Sequence, residues 1–244
     1  MSDAALLWRQ YRFERRLFWR NPSAAFFNFA LPMIFLLLIA SVFHTDKKEL
    51  NVLIPGIAGM AIMATTFSAL AFNLTFYREQ GILKRILGTP LQPATYFGGL
   101  IGSAITNAIV QVLLVVGLGH LLYGVSWPQN WFALAFFTMA GVTAFGALGI
   151  AFAQLIPNFD SAPAYVNAVF LPAIFISGVF YDSSNLPAVL KGVAEALPLK
   201  HVIDGLSGAI VTGHGITDNW GAVFAIGAWA VGGIYLAVRW FRWE

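Results

Sequence analysis

Two runs without a single Asp, Glu, Lys or Arg, residues 50–77 and 86–159, bracket a short charged island, Arg78-Glu79-Gln80-Gly81-Ile82-Leu83-Lys84-Arg85. Few folds tolerate that pattern. A water-facing domain carries charge on about a quarter of its residues; this chain has 10% charged residues against 59% hydrophobic. Apolar stretches of roughly 18 residues or more read as helices that cross a bilayer. The chain is therefore read as an all-α polytopic membrane protein, one membrane domain over residues 1–244 with no soluble domain at either end.

Breakers divide the apolar runs. Gly124-Val125-Ser126-Trp127-Pro128-Gln129-Asn130 splits the longer one, and Pro157-Asn158-Phe159-Asp160 ends it. Six spans are expected: residues 24–43, 52–76, 97–121, 131–155, 163–180 and 220–238. Pro187 and Pro198 cut residues 182–218 into pieces too short to cross, which fits a re-entrant or interfacial hairpin on the outer face.

Six spans put both termini on one side. Ten of the fourteen Lys and Arg residues, with five acidic ones, then share the side of the island; the other four share the opposite side with six acidic residues. Cytoplasmic loops concentrate Lys and Arg, so both termini are expected in the cytoplasm. Trp127, Trp131 and Trp220 fall at outer boundaries and Trp19, Trp240 and Trp243 at inner ones, where indole rings prefer headgroups. Trp229, mid-way along the sixth span, reads as core packing. The same asymmetry explains the net charge of +3 without nucleic acid as a partner.

Residues 1–20 hold five arginines and no continuous apolar core, so no cleavable leader is expected. Arg9, Arg12, Arg16 and Arg20 recur on one helical face, with Leu7, Tyr11 and Phe18 opposite. That pattern predicts an amphipathic helix lying at the membrane surface, its apolar side against the lipid. Asn21-Pro22-Ser23 then breaks it.

Much chemistry is absent. None of the five lysines follows a phosphate-binding G-x-x-x-x-G-K-[ST] pattern. Charged residues all fall in loops or at span ends, unlike the ionisable groups of proton-coupled carriers. His44, His120, His201 and His214 form no H-x-x-x-H pair and there is no cysteine, so no metal centre is expected. His120 reads as a capped interfacial histidine. No nucleophile elbow is present. What remains is a transport pathway driven from outside, through the island: Ile82 with Ile86 and Leu83 with Leu87 give a short helix an apolar side that could seat in a partner's groove. Lys84 and Arg85 lie off that side, Glu79 favours the helix start, and Pro90 is expected to stop it.

Three stretches resemble the membrane subunits of type 2 ABC exporters, of the drug and lipooligosaccharide kind. They are Arg20-Asn21-Pro22 with Leu31-Pro32; Arg78-Glu79-x-Gly81-x-Leu83-x-x-x-Leu87-x-Thr89-Pro90; and Leu171-Pro172, Ile176 to Tyr181, Leu186-Pro187 and Leu197-Pro198-Leu199-x-His201. The resemblance implies a bacterial inner-membrane permease, not itself an enzyme and holding no cofactor. It would pair with a second permease chain and two cytoplasmic ATPase subunits that carry ATP and Mg. It makes residues 78–90 the coupling helix, with Arg78, Glu79, Gly81, Leu83, Lys84, Arg85, Thr89 and Pro90 at the ATPase contact. The residues 182–218 hairpin becomes an outer gate with Ser177, Gly178, Pro187, Pro198 and His201. A route between permeases would be lined by Asn28, Thr65, Thr66, Ser68, Asn73, Tyr165, Asn167 and Phe170. The short outer loop, residues 44–51, has no sugar-binding aromatic platform, which favours an amphiphilic drug, lipid or glycolipid over a polysaccharide. Competing readings are a polysaccharide-exporting permease, a self-contained channel or facilitator, and a membrane-embedded lipid enzyme.

Overall fold

A computed structural model describes residues 3–43, 47–183 and 186–241. His44, Thr45, Asp46, Arg242, Trp243 and Glu244 lie outside them. Every regular element among the described residues is helical: α1 (Asp3–Arg20), α2 (Pro22–Phe43), α3 (Lys47–Met63), α4 (Ala69–Glu79), α5 (Ile82–Leu87), α6 (Pro93–Tyr123), α7 (Trp131–Phe152), α8 (Ala162–Ile176), α9 (Ala188–Ala196), α10 (Pro198–Ser207) and α11 (Trp220–Trp240). One π-turn, Ala64–Ser68, joins α3 to α4, and a second, Gly208–Thr212, extends α10.

Five helical stretches are long and apolar enough to cross a bilayer: Ala25–Val42, Lys47–Glu79, Pro93–Tyr123, Trp131–Phe152 and Thr217–Trp240. The fifth expected span is shorter. α8 has 15 residues, about 22 Å of helix against a hydrocarbon core of about 30 Å. It stops at Ser177 because Gly178 turns the chain with φ +77°. Yet the chain still travels the length of the bundle here. Phe159 meets Glu79 at one end, while Phe180, Tyr181 and Asp182 share a cavity with Lys48 and Glu49 at the other.

Helix limits differ from the breaker-based expectation where a breaker proves compatible with the helix. Pro22 and Pro93 occupy first-turn positions, where no backbone N–H is needed, so α2 and α6 start earlier than residues 24 and 97. Pro90 does not stop α5; Gly88 does, followed by Thr89, whose hydroxyl donates to the Ile86 carbonyl at 2.6 Å.

The centre of the bundle is α3 with its π-turn, which is buried almost throughout and packs against α2, α6, α7 and α10. α10 is not a peripheral loop piece. It lies between α3, α7 and α11, and carries the half-exposed Lys200–Asp204 ion pair (2.5 Å). These two charges therefore sit on a packed helix, not in the loop expected for them. The turn joining α9 to α10 meets the middle of α11: the Trp229 indole N–H donates to Ala196 O at 3.1 Å, nine residues into that helix. Trp229 itself is 38% exposed, which corrects its reading as a core residue. His120 behaves as expected, its ring 2.8 Å from the Val125 carbonyl and 4.4 Å from the Trp127 ring.

One side of α1 packs on protein: Gly98, Gly99 and Gly102 open a small-residue seam along α6 that meets Leu7, Gln10 and Tyr11. Leu7, Trp8, Phe13, Leu17 and Trp19 still keep over a third of their surface exposed. Tyr11 Oη and Thr106 Oγ1 lie 3.1 Å apart, and Arg15 donates to Asn107 Oδ1. Arg9, Arg12, Arg16 and Arg20 remain exposed on the far side, as the spacing predicted, with Arg12 over the Trp8 ring at 5.0 Å.

Candidate functional site

The charged island folds into two parts with different tasks. Arg78 and Glu79 end α4 and reach across to the α7–α8 link, Glu79 from the surface. The Arg78 guanidinium donates to the carbonyls of Ala153 (3.0 Å) and Ile156, and the Glu79 carboxylate accepts from the Phe159 amide at 2.7 Å. Phe76 packs on Phe159 at 5.3 Å. The carbonyls past the end of α7 have no helical partner of their own, so a guanidinium fork is a suitable cap. The sequence reading gave both residues to a partner contact; here they tie the α4 end to the α7–α8 link.

Gly81, at φ +66°, then reverses the chain into α5. A side chain at that position would be strained in the left-handed region. Leu83 is fully buried in an apolar cluster with Leu70, Leu74, Tyr96, Leu100, Ile150 and Ala153. It anchors α5 to its own bundle and is unavailable to a partner, contrary to expectation. Lys84, Arg85, Leu87, Thr89 and Pro90 are exposed. α5 is thus a short exposed ridge of two cations and one leucine, fixed from beneath.

The substrate-route residues separate into groups. Thr66 faces the core, its hydroxyl donating to Ile62 O at 2.6 Å. The Ser68 hydroxyl is buried without a partner. Tyr165 and Asn167 are exposed on α8, and Phe170 packs on the core edge. Asn28, Thr65 and Asn73 do converge, lining a cavity of about 200 Å³ among α1, α2, α4 and α6. The π-turn presents Thr65 there; such wide turns recur at functional sites. The Thr65 hydroxyl is shared between Gln111 Oε1 (2.8 Å) and Asn28 Oδ1 (3.2 Å), and Gln111 Nε2 donates to Asn28 O at 2.9 Å.

The sequence reading missed Glu14, Gln111 and Asn107 in this group. Glu14 lines the cavity from α1, only 8% exposed, with Gln10 Nε2 donating to its carboxylate at 2.8 Å. Burial pushes its carboxyl up from 4.5 to about 7, against the lowering pull of Gln10. A signal was present: Glu14 is the one acid within the arginine-bearing stretch 9–20 and does not share the face of Arg9, Arg12, Arg16 and Arg20. Because the folded state retains this proton longer than the unfolded chain, stability falls as pH rises from about 4.5 to about 7. Glu14→Gln is expected to raise the thermal midpoint in detergent by several degrees at pH 8 and to leave it unchanged at pH 4.5.

At the other end, Ser177 and Gly178 form the buried turn after α8, with the Ser177 hydroxyl unpartnered. Pro187 precedes α9 on the surface, and Pro198 begins α10 in the interior. His201 Nε2 lies 2.8 Å from the Glu195 carbonyl, bridging α9 and α10. No group of three or more potential metal ligands occurs among the described residues.

Helices long and apolar enough to cross a bilayer describe a multi-pass membrane protein, and the comparisons give its family. The family described as ABC-2 type transporter matches residues 4–211, and the chain belongs to it. Relatives include nodulation protein J of Rhizobium leguminosarum bv. trifolii, 28% identical over 162 residues, 66% of this chain and 61% of that protein. The linearmycin resistance permease protein LnrN of Bacillus subtilis is 23% identical over 166 residues, 68% of this chain and 43% of that one. The probable multidrug ABC transporter permease YbhR of Escherichia coli is 26% identical over 153 residues, 62% and 41% respectively. The chain thus spans about half the length of these curated relatives.

Proposed function

We propose that this chain is the permease of an ATP-driven exporter that moves an amphiphilic drug, lipid or glycolipid out across the plasma membrane. Two separate cytoplasmic ATPase subunits supply ATP and Mg, and a second permease chain completes the route. The carrying observation is α5. Its outer surface of Lys84, Arg85 and Leu87 is free, while Leu83 beneath it is buried and Arg78 beside it is bonded to the α7–α8 link. A force applied to such a ridge reaches the bundle without being absorbed by loop flexibility.

In this reading α5 seats in the ATPase and both termini lie in the cytoplasm. The passage of residues 159–182 from one bundle end to the other supports six crossings, with α9 and α10 as a re-entrant outer gate. Relatives named for multidrug transport and linearmycin resistance support export of amphiphiles. The combined Lys84→Glu and Leu87→Asp variant is expected to lower ATPase co-purification and ATP-driven transport at least tenfold, with unchanged permease levels in the membrane. Normal transport by that variant would refute the coupling role.

A further inference from the structure

The cavity beside α1 is built unlike the rest of the bundle. It is lined by Glu14, Asn28, Thr65, Asn73, Tyr77 and Asn107, and its rim residues Asn21 and Asn73 are exposed. Two features call for a ligand. The Glu14 carboxyl is buried with no Lys or Arg of the described residues in ion-pair range. The Asn28 side-chain amide Nδ2 is buried without any acceptor, although its Oδ1 is satisfied by Thr65. An unmet buried donor costs about 1–3 kcal/mol, and an unpaired buried carboxylate costs more. One headgroup could meet both needs: a cationic amine for the carboxylate and an oxygen acceptor for the amide.

We propose that this cavity binds the headgroup of an amphiphile that bears a protonated amine close to a hydroxyl or carbonyl oxygen, with Glu14 as its counter-ion. The proposal rests on the exporter reading and names a substrate class for it. A cavity of about 200 Å³ is below the roughly 300–1,000 Å³ of sites that enclose a whole drug-sized ligand, so it holds a headgroup and leaves the tail outside. Of the titratable groups around Glu14, Tyr77 on α4 and Tyr96 on α6 are uncharged near neutral pH. Arg15, its neighbour on α1, is engaged by Asn107, and α2 contributes no titratable side chain.

The test is binding of 2-(dodecylamino)ethanol to the full chain in lipid nanodiscs, with empty nanodiscs subtracted. N-dodecylacetamide serves as the uncharged comparator and dodecyl phosphate as the anionic one. The amino alcohol is expected to bind at pH 8 and to weaken at least tenfold in Glu14→Gln or at pH 5.5, where Glu14 holds its proton. Asn73→Asp, which adds a carboxylate at the rim, is expected to restore affinity in the Glu14→Gln background. Equal binding by Glu14→Gln, or binding of either comparator as tight as the amino alcohol, overturns the proposal. Binding requires no ATPase, so the two readings fail separately. Glu14-dependent binding without ATP-driven transport defeats the exporter reading alone. ATP-driven transport without Glu14-dependent binding defeats this site alone.

Discussion

Arg78→Ala is expected to reduce ATP-driven transport more than tenfold while leaving α5 folded and the ATPases bound. The reason is where the guanidinium goes. It reaches two carbonyls, Ala153 and Ile156, that are 75 and 78 residues away in sequence. With Glu79 on the Phe159 amide, it joins α4 to the link that begins α8. Hydrogen bonds from a charged donor contribute about 1.5–3 kcal/mol each, so alanine removes a few kcal/mol from one joint and leaves the apolar anchor at Leu83 intact. α5 would still move when pushed, but α8 would no longer follow. Arg78→Lys is expected to fall between, because an ammonium keeps the charge and loses the fork. Transport assays on reconstituted complexes, with ATPase co-purification as the control, separate these outcomes. Full transport by Arg78→Ala would mean that the joint is only structural.

Gly56→Ala is expected to produce the largest loss of stability of any single methyl added to this protein. A Cβ at Gly56 would stand 2.0 Å from the Val179 carbonyl oxygen and 2.9 Å from the Val179 Cα. Overpacking a core costs about 1–3 kcal/mol when side chains can yield. Here the obstacle is backbone, held in the turn that Gly178 makes at φ +77°, so the cost lies at or above the top of that range. The turn after α8 would detach from α3, with loss of folded protein in detergent and a thermal midpoint lowered by ten degrees or more. Gly117→Ala is the matched control, since a Cβ there meets nothing within 4 Å; it is expected to be neutral or slightly stabilising. Similar midpoints for the two variants would show that α3 and the Val179 turn are not in intimate contact.

Much of the fold was legible because its signals are local. The chargeless runs announce long helices, and the turn at Gly124 divides the longer run where α6 ends, whereas the limits set by Pro22, Gly88 and Gly178 emerged only in the structure. The Arg9, Arg12, Arg16 and Arg20 face was readable from spacing alone. The candidate sites were legible in part. The ridge of Lys84, Arg85 and Leu87 was anticipated, but the roles of Arg78, Glu79 and Leu83 within their own chain were not. Side-chain periodicity on a helix of six residues cannot distinguish a face that meets a partner from one that meets its own bundle. Asn28, Thr65 and Asn73 were singled out through the family resemblance, whereas the only sequence signal for Glu14 was its place off the arginine face.

The amino-acid sequence alone determined that this chain is a helical membrane protein with a basic ridge between two apolar stretches. Backbone hydrogen bonds within lipid must be closed inside each helix, and hydropathy reports that directly. Only the tertiary structure decided that α1 docks on the glycine seam of α6, that α10 enters the bundle, and that Glu14 is buried beside Asn28. These depend on contacts between residues far apart in the chain, where shape and polar pairing choose among helix faces of nearly equal hydrophobicity.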